Sequence, residues 1–69
     1  MEVKAPMVGK IMEVVVAPGA NVDEEDDLVV IESMKMEIPV GAPQAGTVRE
    51  VRVSAGDTVQ EGDVLLVLD

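Results

Sequence analysis

No histidine, cysteine or tyrosine occurs in this chain, so the usual general bases and the strongest side-chain nucleophile are missing. Carboxylates are plentiful, with 14 Asp and Glu residues. A domain this small rarely encloses a water-excluding cleft that could tune two of them to different proton affinities. No catalytic residue is therefore expected. The acidic run Asp23–Asp27, "DEEDD", lacks the glycine and the distal glutamate of a calcium loop and reads as a solvated turn, so no metal site is expected either. What remains is amine chemistry. There are three lysines, Lys4, Lys10 and Lys35. Lys35 is the odd one, set between Met34 and Met36 in "IESMKMEIPV" (Ile31–Val40). A surface lysine is ordinarily just solvated and a methionine ordinarily fills a core, so a Met-Lys-Met run fits neither role.

Composition narrows the partners. The formal net charge is −9 and aromatic residues are absent. Nucleic-acid binding runs on Lys and Arg neutralising phosphates, so that partner class is not expected. Anionic membrane surfaces are disfavoured for the same reason. No apolar run reaches the length of a membrane span, and the N-terminus lacks a signal-peptide pattern, so the expected location is cytoplasmic.

The elements that must position Lys35 emerge from an internal repeat. Ala5–Glu32 aligns with Ala42–Asp69 at an offset of 37 residues without a gap, and 12 of 28 columns are identical. Chance would give roughly two. The identities include Ala5/Ala42, Pro6/Pro43, Gly9/Gly46, Gly19/Gly56, Val22/Val59 and Leu28/Leu65. Two copies are too few for a solenoid, which needs three or more units. The 69 residues instead read as one domain, with half-repeats of about 1–35 and 36–69 closing a common core around a pseudo-two-fold axis.

Each half reads as strands. Gly9 and Gly46 are expected to end turns. "KIMEVVV" and "TVREVRV" follow, the second placing Val48, Val51 and Val53 near period two with charges between them. "PGAN" and "AGDT" are turn-like, and "DLVVIE" and "DVLLVLD" are short aliphatic strands. Long β-branched runs and frequent glycines argue against helix. About eight short strands result, an all-β sandwich or flattened barrel. One column breaks the symmetry: Gly62 aligns with Glu25, so the first-half turn is expected to be the looser one.

The repeat leaves a bridge between Glu32 and Ala42. "MEIPVGAP" resembles the N-terminal "MEVKAP", which shrinks the bridge to Ser33, Met34 and Lys35. Lys35 is thereby expected at a hairpin tip, with both chain ends at the far end of the domain. A two-residue loop at Met34–Lys35 would pair Ser33 with Met36, Glu32 with Glu37 and Ile31 with Ile38. Pro39 cannot donate to a ladder, so its nitrogen is expected to face away from a partner strand or to sit at an edge. Two-residue loops want positive φ and favour Asn-Gly, so Met-Lys breaks a local rule at one spot, which points to function there.

On these residues the chain resembles the biotinyl (biotin carboxyl carrier) domains and is similar to small biotin/lipoyl attachment proteins. The "ESMKME" run (Glu32–Glu37) matches their Met-Lys-Met core preceded by a glutamate and a small residue, and "APMVGKI" and "AGDTVQEGDVLLVL" extend the likeness over the whole chain. The resemblance implies a flattened barrel of two four-stranded antiparallel sheets (a barrel-sandwich hybrid). It implies that Lys35 accepts covalent biotin from a biotin protein ligase. The domain would then shuttle a carboxyl group between biotin carboxylase and carboxyltransferase sites, as a carrier module rather than an enzyme. Glu32, Ser33, Met34, Met36 and Glu37 would serve ligase and partner recognition. Val8 and Glu25 depart from residues common in the family, Pro and Gly, and no thumb-like insertion is present. The chain would be either a stand-alone carrier or an excised domain of a larger carboxylase.

Two other readings compete. Lipoyl carriers of 2-oxo acid dehydrogenase or glycine-cleavage systems share that fold, but typically show Asp-Lys-Ala at the tip. An unmodified structural domain of the same shape needs no lysine there.

Overall fold

Val48 is buried and the next residue, Arg49, is exposed, as a strand with one wet face requires. In the computed structural model, which describes Met1–Asp69, the same logic generates eight strands and no helix. They are β1 (Glu2–Lys4), β2 (Gly9–Val14), β3 (Asn21–Val22), β4 (Asp27–Ser33), β5 (Met36–Gly41), β6 (Gly46–Val51), β7 (Thr58–Val59) and β8 (Val64–Leu68). They form two four-stranded antiparallel sheets, ordered β1-β8-β6-β3 and β5-β4-β2-β7. This is the expected sandwich of two four-stranded sheets.

The repeat is built into this arrangement. Moving 37 residues along the chain turns β1 into β5, β2 into β6, β3 into β7 and β4 into β8. The operation therefore converts one sheet into the other. The core obeys it without exception. The 14 buried residues are seven pairs at this spacing: Val3/Val40, Ala5/Ala42, Ile11/Val48, Val22/Val59, Leu28/Leu65, Val29/Leu66 and Ile31/Leu68. Burying a side chain such as Leu28 or Leu65 stabilises by roughly 1.5–3 kcal/mol, and no aromatic is needed to fill so small an interior.

Within a half only the inner strands pair, β2 with β4 and β6 with β8. Each sheet mixes both halves, with β1 and β3 beside β8 and β6, and β5 and β7 beside β4 and β2. The crossings are tied by matched backbone bonds. The Ala5 N–H donates to the Asp63 carbonyl and the Ala42 N–H to the Asp26 carbonyl, both at 2.8 Å. The Ile11 N–H reaches the Asp57 carbonyl and the Val48 N–H the Ala20 carbonyl, again at 2.8 Å.

Three local expectations are corrected. Gly9 and Gly46 open strands rather than end turns, and they are needed for close approach. A Cβ on Gly9 would collide with the Ile31 side chain and lie 2.7 Å from the Glu32 carbonyl oxygen; one on Gly46 would lie 2.6 Å from the Asp69 carbonyl oxygen. The turn at Glu25 is not looser than its twin. Glu25 takes φ 73° where Gly62 takes 90°, and its N–H donates to the Ala42 carbonyl at 2.8 Å as that of Gly62 donates to Ala5 at 2.9 Å. Shared backbone bonding overrides the residue's preference. Finally, the likeness of Met1-Glu2-Val3 to Met36-Glu37-Ile38 is not structural. Glu2 pairs with Val67 and Pro39 with Val30, so the 37-residue spacing holds through β1 and β5 because Val3 and Val40 must both face the core.

Candidate functional site: the β4–β5 hairpin tip

β4 is an inner strand with β5 and β2 on either side, and three of its seven residues, Leu28, Val29 and Ile31, are buried in the core. The fully buried Val29 and Ile31 pair with Val40 and Ile38 of β5, which fixes the register of the hairpin. Glu32 then faces Glu37, and Ser33 faces Met36. This is the pairing expected from the sequence, and Pro39 falls on an edge strand as required.

The loop is left with two residues. Met34 has φ 53° and Lys35 φ 64°, both in the left-handed region. Type I′ hairpins need this at both central positions because it matches the twist of the strands. Non-glycine residues are disfavoured there by roughly 1–2 kcal/mol each. The ladder behind the loop holds them in place. The amine is thus presented from a turn with little freedom, the condition for reacting in one geometry.

The surroundings are open. Met34 is 92% exposed and Met36 64%, so neither fills the core. Lys35 is exposed and takes part in neither of the two salt bridges, Arg49–Asp69 and Arg52–Glu50, nor in any side-chain hydrogen bond. Glu50 holds the Arg52 guanidinium more firmly protonated than usual, mainly by its hydrogen bond and then by its charge, but this pair lies on the other sheet.

The tip is far from the chain ends. Gly9, at the start of β2, lies beside Glu32; Gly46, at the start of β6, lies beside Asp69. β2 and β6 each run away from these points. The segment after β2 reaches β3 against Gly46, and the segment after β6 reaches β7 against Gly9. The termini are themselves joined, the Leu68 N–H donating to the Met1 carbonyl at 2.7 Å. Tip and termini occupy opposite ends of a body measuring 30 × 18 × 17 Å.

All six residues Glu32–Glu37 gather on this hairpin. One neighbour escaped the sequence reading. Lys10 of β2 stands opposite Glu32, so a row Thr58–Lys10–Glu32–Glu37 crosses the sheet just behind the tip. In the repeat Lys10 is an ordinary column against Thr47; only the β2–β4 pairing reveals its position. The molecule's one pocket is an open depression lined by Glu24, Glu25, Asp27, Pro39, Gly41, Ala42 and Pro43, at the other end of the hairpin from Lys35. A group held by this chain would therefore be tethered to the tip rather than enclosed, and a long, unpartnered amine suits an amide tether.

Comparison with known proteins identifies the family. The family model described as "Biotin-requiring enzyme" matches residues 1–68. The biotinylated protein TB7.3 homolog of Mycolicibacterium smegmatis is 54% identical over 39 residues, 56% of this chain and 55% of that protein. Biotinylated protein TB7.3 of Mycobacterium bovis is 51% identical over 39 residues with the same coverage. The match thus spans about half the length of these curated relatives. Among solved structures, a single-chain, multi-domain long-chain acyl-CoA carboxylase superposes with a TM-score of 0.91 and 36% identity over 96% of this chain and 7% of its own. The urea carboxylase of Kluyveromyces lactis superposes with a TM-score of 0.94 and 32% identity over 100% of this chain and 6% of its own.

Proposed function

Since the chain belongs to the biotin-requiring enzyme family, we propose that it is a biotin carrier domain whose attachment residue is Lys35. The observation that carries this reading is the Met34–Lys35 turn: an exposed amine without an intramolecular partner, held in a strained two-residue loop at the end remote from the termini. Biotin supplies a ring that can carry a carboxyl group between active sites, as a biotin-dependent carboxylase requires. The chain's own residues do the rest. The Lys35 Nζ, once deprotonated in a ligase site, forms the amide, and the domain becomes more acidic by one charge. The turn fixes the direction of the tether. Met34 and Met36 offer apolar surface to the enzymes that handle the tip, while Glu32, Ser33 and Glu37 offer polar contacts along the hairpin legs. Lys10, opposite Glu32, extends that polar surface onto β2.

The partners in this reading are a biotin protein ligase and the biotin carboxylase and carboxyltransferase sites of a carboxylase, in the cytoplasm. The resemblance of the chain to a small part of two large carboxylases supports it as a carrier module rather than a catalyst. The flanking methionines and the biotinylated relatives favour biotin over lipoate.

Intact mass after expression with a biotin ligase tests the proposal. A biotin-sized increment is expected on wild type and none on Lys35→Arg. An increment that survives the substitution would overturn the assignment to Lys35, a lipoyl-sized one would replace the cofactor, and no increment on either chain would leave a purely structural domain.

A further inference from the structure

The methionines beside Lys35 have chemistry of their own. Two-electron oxidants attack thiols and thioethers readily, and aromatic rings or imidazoles in some settings. This chain has no cysteine, histidine, tryptophan or tyrosine, so its five methionines are its oxidisable side chains. Their exposure is uneven. Met34 is 92% exposed and Met36 64%, ahead of Met1 at 53% and Met12 at 41%, while Met7 is half-buried. None belongs to the buried core, which consists of Val, Ala, Ile and Leu. The two most open thioethers therefore flank the acceptor amine, and oxidising them disturbs no packing.

We propose that Met34 and Met36 form a reversible oxidation site that switches the tip off as a substrate for the ligase. The switch rests on the carrier reading above; the order of oxidation does not. The oxidant is a hydroperoxide. The sulfur lone pair attacks one peroxide oxygen, the O–O bond breaks and an S–O bond forms. A proton passes to the departing oxygen, which leaves as water or an alcohol, so the sulfur is oxidised by two electrons and the peroxide is reduced. The product sulfoxide is polar and chiral where the thioether was apolar. The turn cannot hide the change, because Met34 is locked at φ 53° and Met36 is held opposite Ser33. An enzyme surface that packs on two apolar flanks then meets two polar ones.

The full-length unbiotinylated chain, treated with limiting hydrogen peroxide and mapped by peptide mass, tests this. The first two oxygens, about 16 Da each, are expected on Met34 and Met36 with the unfolding temperature unchanged. The oxidised chain is expected to accept biotin from the ligase about tenfold more slowly, as loss of a central apolar contact typically does. Methionine sulfoxide reductases should restore the rate. In a Met34→Leu/Met36→Leu chain, the ratio of rates before and after peroxide should be one, whatever its starting rate. First oxidation at Met7 or Met12, or an oxidised chain biotinylated at the untreated rate, would overturn the proposal. An untreated chain that takes no biotin at all would instead overturn the carrier reading, and the switch with it, while the mass map would still decide the order of oxidation.

Discussion

Ser33 sits directly opposite Met36, and this pairing leaves Met34 and Lys35 as the whole connection between β4 and β5. A connection that short fixes the backbone from which the lysine stem projects. It also forces two residues with ordinary side chains into backbone angles that suit Asn and Gly.

Relieving that strain should stabilise the protein at the expense of its site. Replacing Met34→Asn together with Lys35→Gly restores the preferred loop pair. The variant is expected to be more stable by roughly 1–3 kcal/mol, which in a domain of this size raises the unfolding temperature by upwards of ~4 °C. It should accept no biotin. Thermal unfolding followed by circular dichroism measures the first effect and intact mass the second. An unfolding temperature equal to or below that of wild type would show that the tip turn stores no strain.

Glu25 and Gly62 offer the same test away from the tip. They share a turn geometry at φ 73° and 90°, and nothing lies within 4 Å of a Cβ placed on Gly62. Glu25→Gly should therefore gain about 0.5–1 kcal/mol, since relief of the left-handed strain outweighs glycine's extra unfolded-state entropy. Gly62→Glu should lose a similar amount. Denaturant titration of both variants checks the pair. Equal signs for the two changes would contradict the symmetry argument.

Gly9 and Gly46 are equivalent in the repeat but should not tolerate alanine equally. A methyl on Gly9 collides with Ile31 and with the backbone of Glu32, on an inner strand. Overpacking of that kind costs about 1–3 kcal/mol. A methyl on Gly46 meets a single atom at clashing distance, the Asp69 carbonyl oxygen, where one on Gly9 meets two, so a smaller cost within that range is expected there. Unfolding free energies of Gly9→Ala and Gly46→Ala decide this, and the reverse ranking would refute it. Because Gly9 seats β2 against Glu32, Gly9→Ala should also slow biotin acceptance at fixed temperature, a readout Gly46→Ala should leave alone.

Much of this molecule was legible before any coordinates. The 37-residue repeat implied two halves closing one core, and in the structure all seven buried pairs lie at that spacing, because equivalent positions in a duplicated fold face the same interior. The hairpin register followed from two alternating apolar runs that must share one face, with only Met34 and Lys35 left over to turn the chain. Local composition decides both, since strand periodicity reports which face a side chain takes.

Periodicity does not report which strand lies alongside, and the tertiary structure alone decided that. β1 joins β8 and β7 joins β2, across the boundary between the halves, because each half by itself leaves its aliphatic face uncovered. That exchange sets Lys10 beside Thr58, seats Gly9 against Val59 and holds Glu25 to its twin's geometry through a bond to Ala42. Each depends on residues distant in the chain meeting through backbone hydrogen bonds, which any residue type except proline can donate and so leave little trace in the order of amino acids.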